Sequence, residues 1–416
     1  MRKGITVPVL FMLFSCLSVI TASADTGKGL TVAVRATLEN HPAVKGKLAE
    51  LSAYGYNIDT AKSGRYPSLS GEVQTLDSGY EYGTLIARQP LWAFGKIQLP
   101  IDQASERYQA ERLSLLQVQR QLIEETATAY AQILGIRRQL EVAVANIDEH
   151  RRLYERIKNR QQGELASDAD VQLALSRLIQ ARSQKEQIVG ELQIGLNELQ
   201  ALTQVRMEAE KAVPQSFWEL PEPDTVRELA IQESANVRYK KRLIDVARYN
   251  VSLQKVNSTP TLYAEARRDF FDSSASNETR VGLTLQASLD GAGFGIKSRT
   301  RSASAQVAAA REDWRATINS IELRVNSLLT SLDLQTRLQL SRKSAVDAVE
   351  EIRESFIRQY DSGRKTWLEV LNIQREYTQQ LLSLVQAESD ELILRLRVAA
   401  LIGRLDTTAG IEPVED

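Results

Sequence analysis

Few residues in this chain could carry chemistry, and their spacing argues against it. There are two histidines, His41 and His150. His41 sits in the helix-ending Asn40-His41-Pro42, and His150 falls among apolar heptad positions. Neither has a cysteine, histidine or paired carboxylate at metal-ligand spacing, so each reads as a packed or solvated residue. Gly291-Ala292-Gly293-Phe294-Gly295 is glycine-rich but lacks the Gly-Lys-Ser/Thr that completes a phosphate loop. It reads instead as a strand-to-helix corner, where glycine supplies the turn. Serines and acids are scattered over helix faces with no nucleophile–base pair. The pattern predicts no enzyme, no cofactor and no metal. A net charge of −1 with interleaved signs leaves no basic footprint for nucleic acid.

The N-terminus reads as an export signal. Arg2 and Lys3 give a positive start, Ile5 to Ile20 an apolar core, and Ala22-Ser23-Ala24 a small-x-small cleavage site. The rival reading is a lipoprotein signal, Leu13-Phe14-Ser15-Cys16, with Cys16 acylated; the bulk of Phe14 and the later Ala-x-Ala site favour cleavage after Ala24. Cleavage there takes away the single cysteine and, with Arg2 and Lys3, moves the charge from −1 to −3. Beyond it no run of about 18 apolar residues remains, so any membrane insertion must be by strands.

The chain repeats itself. Gly95 and Gly163 mark breaks before and within a long helical stretch, and Gly295 and Gly363 do the same 200 positions later. Pro67 and Pro260 open the strand-like segments before each stretch. The predicted plan is a signal at 1–24, a first unit at 25–212, a linker at 213–223 carrying Pro214, Pro221 and Pro223, a second unit at 224–405, and a disordered tail at 406–416. Each unit holds short helices (Leu30 to Asn40 and Pro42 to about Lys62; about Asp224 to Ser234 and Asn236 to Val256), two strands and a long helical hairpin.

The strands carry period-two patterning. Val281, Leu283, Leu285, Ala287 and Leu289 alternate with Gly282, Thr284, Gln286 and Ser288. Ser68 to Leu76 repeats this less cleanly, Asp77-Ser78-Gly79 turns, and Tyr80 to Leu91 returns. Thr261 to Phe271 should pair with Arg280 to Leu289. A half-buried soluble sheet explains any one strand; four beside an export signal suit a membrane barrel, whose strands need about 9–11 residues.

The helices carry heptads. Ala129, Ile133, Ile136, Leu140, Ala143, Ile147, His150, Tyr154 and Ile157 step alternately by 4 and 3, and Trp314, Ile318, Ile321, Val325, Leu328 and Leu332 do likewise. Outgoing arms of about 60 residues span roughly 90 Å. The return arms are Ser167 to Leu202 and Thr366 to Leu405. Ala303, Ala305, Ala308, Ala309 and Ala310 predict close helix approach. The fold class is therefore mainly α with a small β part.

On these features the chain resembles the TolC-like outer membrane channels of Gram-negative bacteria. The resemblance covers essentially the whole mature chain. It rests on the duplicated plan and on Leu38-Glu39-Asn40-His41-Pro42, Tyr66-Pro67-Ser68-Leu69-Ser70, Gln89-Pro90-Leu91-Trp92-Ala93-Phe94-Gly95-Lys96 and the two hairpin tips. It implies a homotrimer in outer membrane lipid, with three sets of four strands closing a 12-stranded barrel above a periplasmic α-helical tunnel. It implies as partners a periplasmic adaptor and an inner-membrane transporter. Ser167-Asp168-Ala169-Asp170-Val171, with Ala174, Ser176-Arg177 and Ala181-Arg182, looks most like members serving type I secretion of adhesins through an ABC transporter. Small-molecule efflux with a proton-driven pump is the alternative. A periplasmic coiled-coil scaffold without a pore is a third reading, which leaves the strand alternation without a use.

The resemblance also implies site residues. Aligned on Gly363, the gate-latch tyrosine is Tyr360, and Lys365 replaces the latch arginine, losing bidentate geometry. Aligned on Gly163, the latch aspartate position holds Gln161. The acidic rings of the pore entrance fall on Glu369 and Asn372, so one ring is kept and one is a neutral amide, implying a weaker latch and weaker cation block. A solvated helix-end carboxylate is the plainer account of Glu369. The tips, Gly163, Glu164, Leu165, Ala166 and Ser167 with Gly363, Arg364, Lys365, Thr366 and Trp367, would meet the adaptor; a plain helix reversal fits them equally. Pro67, Gly95, Pro260 and Gly295 are the expected strand–helix corners.

Overall fold

A computed structural model describes residues 29–75, 81–271, 278–288 and 294–411. The export signal, Cys16, the Asp77-Ser78-Gly79 turn and the Gly291–Gly293 corner lie outside the described residues.

Proline and glycine set the element boundaries. Helix α1 (Leu30–Asn40) ends where His41 turns to extended backbone. His41 Nδ1 then accepts from the Ala43 N–H at 3.2 Å and caps α2 (Pro42–Ser63). Strands β1 (Ser68–Thr75) and β2 (Glu81–Trp92) follow. Phe94 and Gly95, both at positive φ (48° and 91°), turn the chain into α3 (Gln98–Gln162), which returns as α4 (Asp168–Thr203). The second unit repeats the order: α6 (Pro223–Gln232), α7 (Ala235–Val256), β3 (Thr261–Phe271), β4 (Glu278–Gln286), α8 (Phe294–Asp361) and α9 (Trp367–Leu401). At 65 and 68 residues, α3 and α8 are each roughly 100 Å long.

The four strands form one antiparallel sheet in the order β1-β2-β3-β4. The central β2–β3 pairing joins the two units, from Tyr82 opposite Phe271 to Trp92 opposite Leu262. Pro90, which has no N–H to donate, sits at a register shift in that ladder. Leu69, Val73, Leu283 and Leu285 lie exposed on one face. On the other face Arg88 pairs with Glu265 at 2.8 Å, and buried Asp269 accepts from Thr84 at 3.0 Å and Arg267 at 2.8 Å. β4 runs to Gln286, and the expected end at Leu289 lies outside the described residues. Its last partner is Thr261, and Pro260 begins the chain's approach to β3, so Ala287 and Ser288 have no ladder to extend.

The main core lies where both hairpins meet the short helices. It gathers Leu30 and Val34 of α1, Ile123, Tyr130 and Ile133 of α3, Leu199 of α4 and Leu396 of α9. From there α3 serves as a shared spine. Its face Ile133, Ile136, Ala143, Ile147 is buried, and α4 covers it with Ile188, Leu178 and Ala181. A second face packs antiparallel against α9. Gly135 lies so close to Ser389 that an added Cβ would stand 2.3 Å from its Oγ. Lower down, Thr378 and Gln374 donate to Asn146 Oδ1 at 2.8 and 3.3 Å.

Two expectations are corrected. The 213–223 segment is a packed crossing rather than a free linker: it forms the turn α5 (Gln215–Trp218), with Val213, Phe217, Trp218 and Leu220 against the core. The chain beyond Leu405 continues as α10 (Asp406–Ala409), because Arg120 forks onto Asp406 at 2.6 and 2.9 Å; residues 412–416 lie outside the described residues. Of the five alanines named on α8, Ala303 is buried within the single chain.

Candidate functional site

Both hairpins end at the same extremity, and the same backbone device reverses each. In the first, the Glu164 N–H reaches Gln161 O (2.9 Å) and the Leu165 N–H reaches Arg160 O (2.8 Å). In the second, the Gly363 N–H reaches Tyr360 O (3.0 Å) and the Arg364 N–H reaches Gln359 O (2.9 Å). This is the paired bonding of a Schellman motif, whose hinge residue is left-handed. That residue is Glu164 (φ 59°) in one tip and Gly363 (φ 74°) in the other. Gly163, at φ −91°, is the residue before it.

The equivalence between tips is therefore 199 positions, not the 200 that the glycines suggest. Gln161 stands where Tyr360 stands, and Asp170 where Glu369 stands. The return helices begin with matching capping boxes, Ser167 with Asp170 and Thr366 with Glu369. The Thr366 N–H and Oγ1 both donate to Glu369 Oε2 at 2.8 Å, and Lys365 Nζ reaches Glu369 Oε1 at 2.7 Å. Lys365, helped by the Thr366 N–H and hydroxyl, holds the Glu369 carboxyl down at about 2. Glu369 is thus ionised and already partnered, while Asn372 is half-buried one turn along α9.

Tyr360 and Trp367 come together, with ring centroids 5.2 Å apart. They are 7% and 4% exposed and share a cluster with Leu153, Ile157, Ala174 and Leu371. Trp367 is consequently not a free contact residue: it packs the second tip onto the first, as half-buried Ala166 also does. Burial raises the Tyr360 phenol above its usual range, opposed by Arg160. The Arg160 guanidinium lies 5.0 Å from the Tyr360 ring centroid, and Arg156 pairs with Asp361 at 2.8 Å. Lys365 lies over the Phe356 ring at 4.2 Å. Gln161 donates to Asp168 at 2.9 Å within its own tip. Within one chain, then, Lys365 and Gln161 bond to other partners, Glu369 and Asp168, and Tyr360 packs on Trp367.

Gly163, Glu164, Leu165, Ser167, Gly363, Arg364 and Thr366 are exposed. The sequence reading missed Leu368, which is 49% exposed, and the cross-hairpin residues Arg156, Arg160 and Asp361. Leu368 had a signal, an apolar residue in the first exposed turn after Thr366. The arginines had none, because α3 and α8 carry charge along much of their length.

At the far end, Pro67 and Pro260 each precede a strand by one residue, and Gly95 makes its corner. Gly295 instead lies within the first turn of α8. Lys96 Nζ donates to Thr259 O, tying the two corners together. Among the described residues no helix is long and apolar enough to cross a membrane, and no group of three potential ligands could hold a metal.

A duplicated long hairpin hung from a small antiparallel sheet defines the TolC-like outer membrane channels. A family model described as outer membrane efflux protein matches residues 33–204 and again 226–404, once per unit. The chain belongs to that family. No curated protein matches it in sequence. Solved structures share the fold at low identity. A membrane protein from Pseudomonas aeruginosa superposes with TM-score 0.76 at 18% identity, over 90% of this chain and 92% of that one. The outer membrane protein VceC from Vibrio cholerae gives 0.73 at 17%, over 90% and 96%. The CmeC outer membrane channel of Campylobacter jejuni gives 0.74 at 12%, over 93% and 87%.

Proposed function

We propose that this protein is the outer membrane exit duct of a tripartite export system. It acts as a passive homotrimer that recruits a periplasmic adaptor and an inner-membrane ABC transporter for type I secretion of a protein such as an adhesin. The observation that carries the duct reading is the open sheet. Four strands with an exposed apolar face and two unpaired edges have no stable home as a monomer. Three copies close the edges, place Leu69, Val73, Leu283 and Leu285 against lipid, and turn the Arg88–Glu265 and Asp269 cluster to the lumen. Helices of roughly 100 Å then carry the duct into the periplasm. The secretion reading rests on Ser167 to Val171 and the residues that follow. Small-molecule efflux with a proton-driven pump is the second reading, favoured by the description of the matching family.

The exposed tips, centred on Leu165, Arg364 and Leu368, are the adaptor surface in this reading, and Glu369 forms the entrance ring. The test is single-channel conductance of the detergent-purified mature protein. Discrete steps are expected, with a divalent-cation block that disappears in Glu369→Gln. Because Lys365 already neutralises that carboxylate, Lys365→Gln should strengthen the block several-fold. A block unchanged in both variants removes Glu369 from the pore, and failure to insert at any protein concentration favours the scaffold. Cargo is tested separately, by whether deletion abolishes secretion of a protein or raises drug sensitivity.

A further inference from the structure

Away from the tips, a cavity of about 210 Å³ opens between α3, α4 and α9. His150 lines it from α3, Arg177 and Gln180 from α4, and Arg375 and Gln379 from α9. None of its lining residues is acidic. Its ionisable groups are His150, Arg177 and Arg375, one from each helix.

The polar atoms here are unusually short of partners. His150 is 4% exposed, and its Nδ1 is buried with no hydrogen-bond partner. Arg177 Nε is likewise buried and unpartnered, while its Nη1 donates to Gln180 at 2.8 Å. The Asn146 oxygen is already taken by Gln374 and Thr378. A buried donor left unmade costs roughly 1–3 kcal/mol, and more when charged. Arg375 stands exposed beside the opening. Burial, with a lesser contribution from the Arg177 charge, pushes the His150 imidazole down to about 4. Water could bond to these atoms but could not balance the charge. At about 30 Å³ per water the space exceeds a single solvent molecule.

We propose that this niche binds a small tetrahedral oxyanion of the phosphate or sulfate class, held by Arg177 and Arg375 with His150 at its base. Guanidinium forks match oxyanion geometry and prefer it to a spherical halide. The bound anion would bridge α4 to α9 across α3, tying the first hairpin to the second just above the tips.

The chain's two histidines make the test direct. Full-length mature protein in detergent, labelled with ¹³C at histidine Cε1, is titrated with inorganic phosphate at constant ionic strength. His41→Asn identifies the His150 signal. The expected result is a saturable shift of His150 alone and a rise in its pKa, with sulfate competing. Arg177→Gln and Arg375→Gln should each weaken binding at least tenfold while the trimer persists. The proposal is overturned if the shift does not saturate, if chloride reproduces it, or if the arginine variants, still trimeric, titrate like the parent.

Discussion

At the residue scale the two tips set up a natural comparison. One backbone position is left-handed in both, yet it holds Gly363 in the second hairpin and Glu164 in the first. A side chain there costs about 1–2 kcal/mol. Glu164→Gly should therefore stabilise the first tip by about 1 kcal/mol, and Gly363→Ala should destabilise the second by a similar amount, both read from thermal unfolding of the helical signal. His150 supplies a pH prediction. Its unfolded pKa lies near 6.5 and its folded value at about 4, so the unfolded chain takes up the proton first. Stability should be full above pH 6.5 and fall as pH drops from 6.5 to 4, by at most about 1.4 kcal/mol per unit. In His150→Gln that window of acid sensitivity should vanish; an unaltered profile would assign it to other groups.

At the scale of elements, much was legible and some was not, for physical reasons. Helix limits could be read because proline and glycine interrupt backbone bonding wherever they occur: Asn40-His41-Pro42 and Pro67 fall at element ends. The α3 face toward α4 could be read because Ile133, Ile136 and Ile147 are apolar at heptad spacing. The α3 face toward α9 could not, since it is marked by Gly135 and Asn146, which hydrophobic periodicity ignores. The turn register misled because a glycine may adopt positive φ without having to; Gly163 does not, and Glu164 does. Trp367 reads from sequence as a contact residue because its place in the chain says nothing of which way its helix rolls. The Gly135 crossing is testable. An alanine methyl there collides with Ser389, so Gly135→Ala should cost about 1–3 kcal/mol by overpacking. Adding Ser389→Gly should recover most of the loss. Failure of that rescue would mean that α3 and α9 do not cross at this pair.

At the scale of the whole molecule, the sheet and the helices make opposite demands. The β2–β3 pairing joins the two units at the sheet, and its residues lie more than a hundred positions apart, beyond the reach of local pattern. Leu283 sits at 70% exposure midway along β4. If that face meets hydrocarbon, Leu283→Arg should cost about 2–4 kcal/mol per chain at the bilayer centre. If the chain assembles as proposed, the variant should lose detergent-extracted oligomer while keeping its helical circular dichroism. Trimer yield equal to the parent would place the face in water.

The two unpaired sheet edges also bear on how the protein is made. The helical half closes its own core within one chain, through Leu30, Tyr130, Leu199 and Leu396. The strands cannot close until other copies arrive. Biogenesis thus divides into a first-order stage, in which the rods form, and a higher-order stage, in which the barrel assembles. Between the two, the outer edges of β1 and β4 remain unpaired. The first stage is independent of protein concentration and the second is not, so the open edges persist longest where the chain is most dilute.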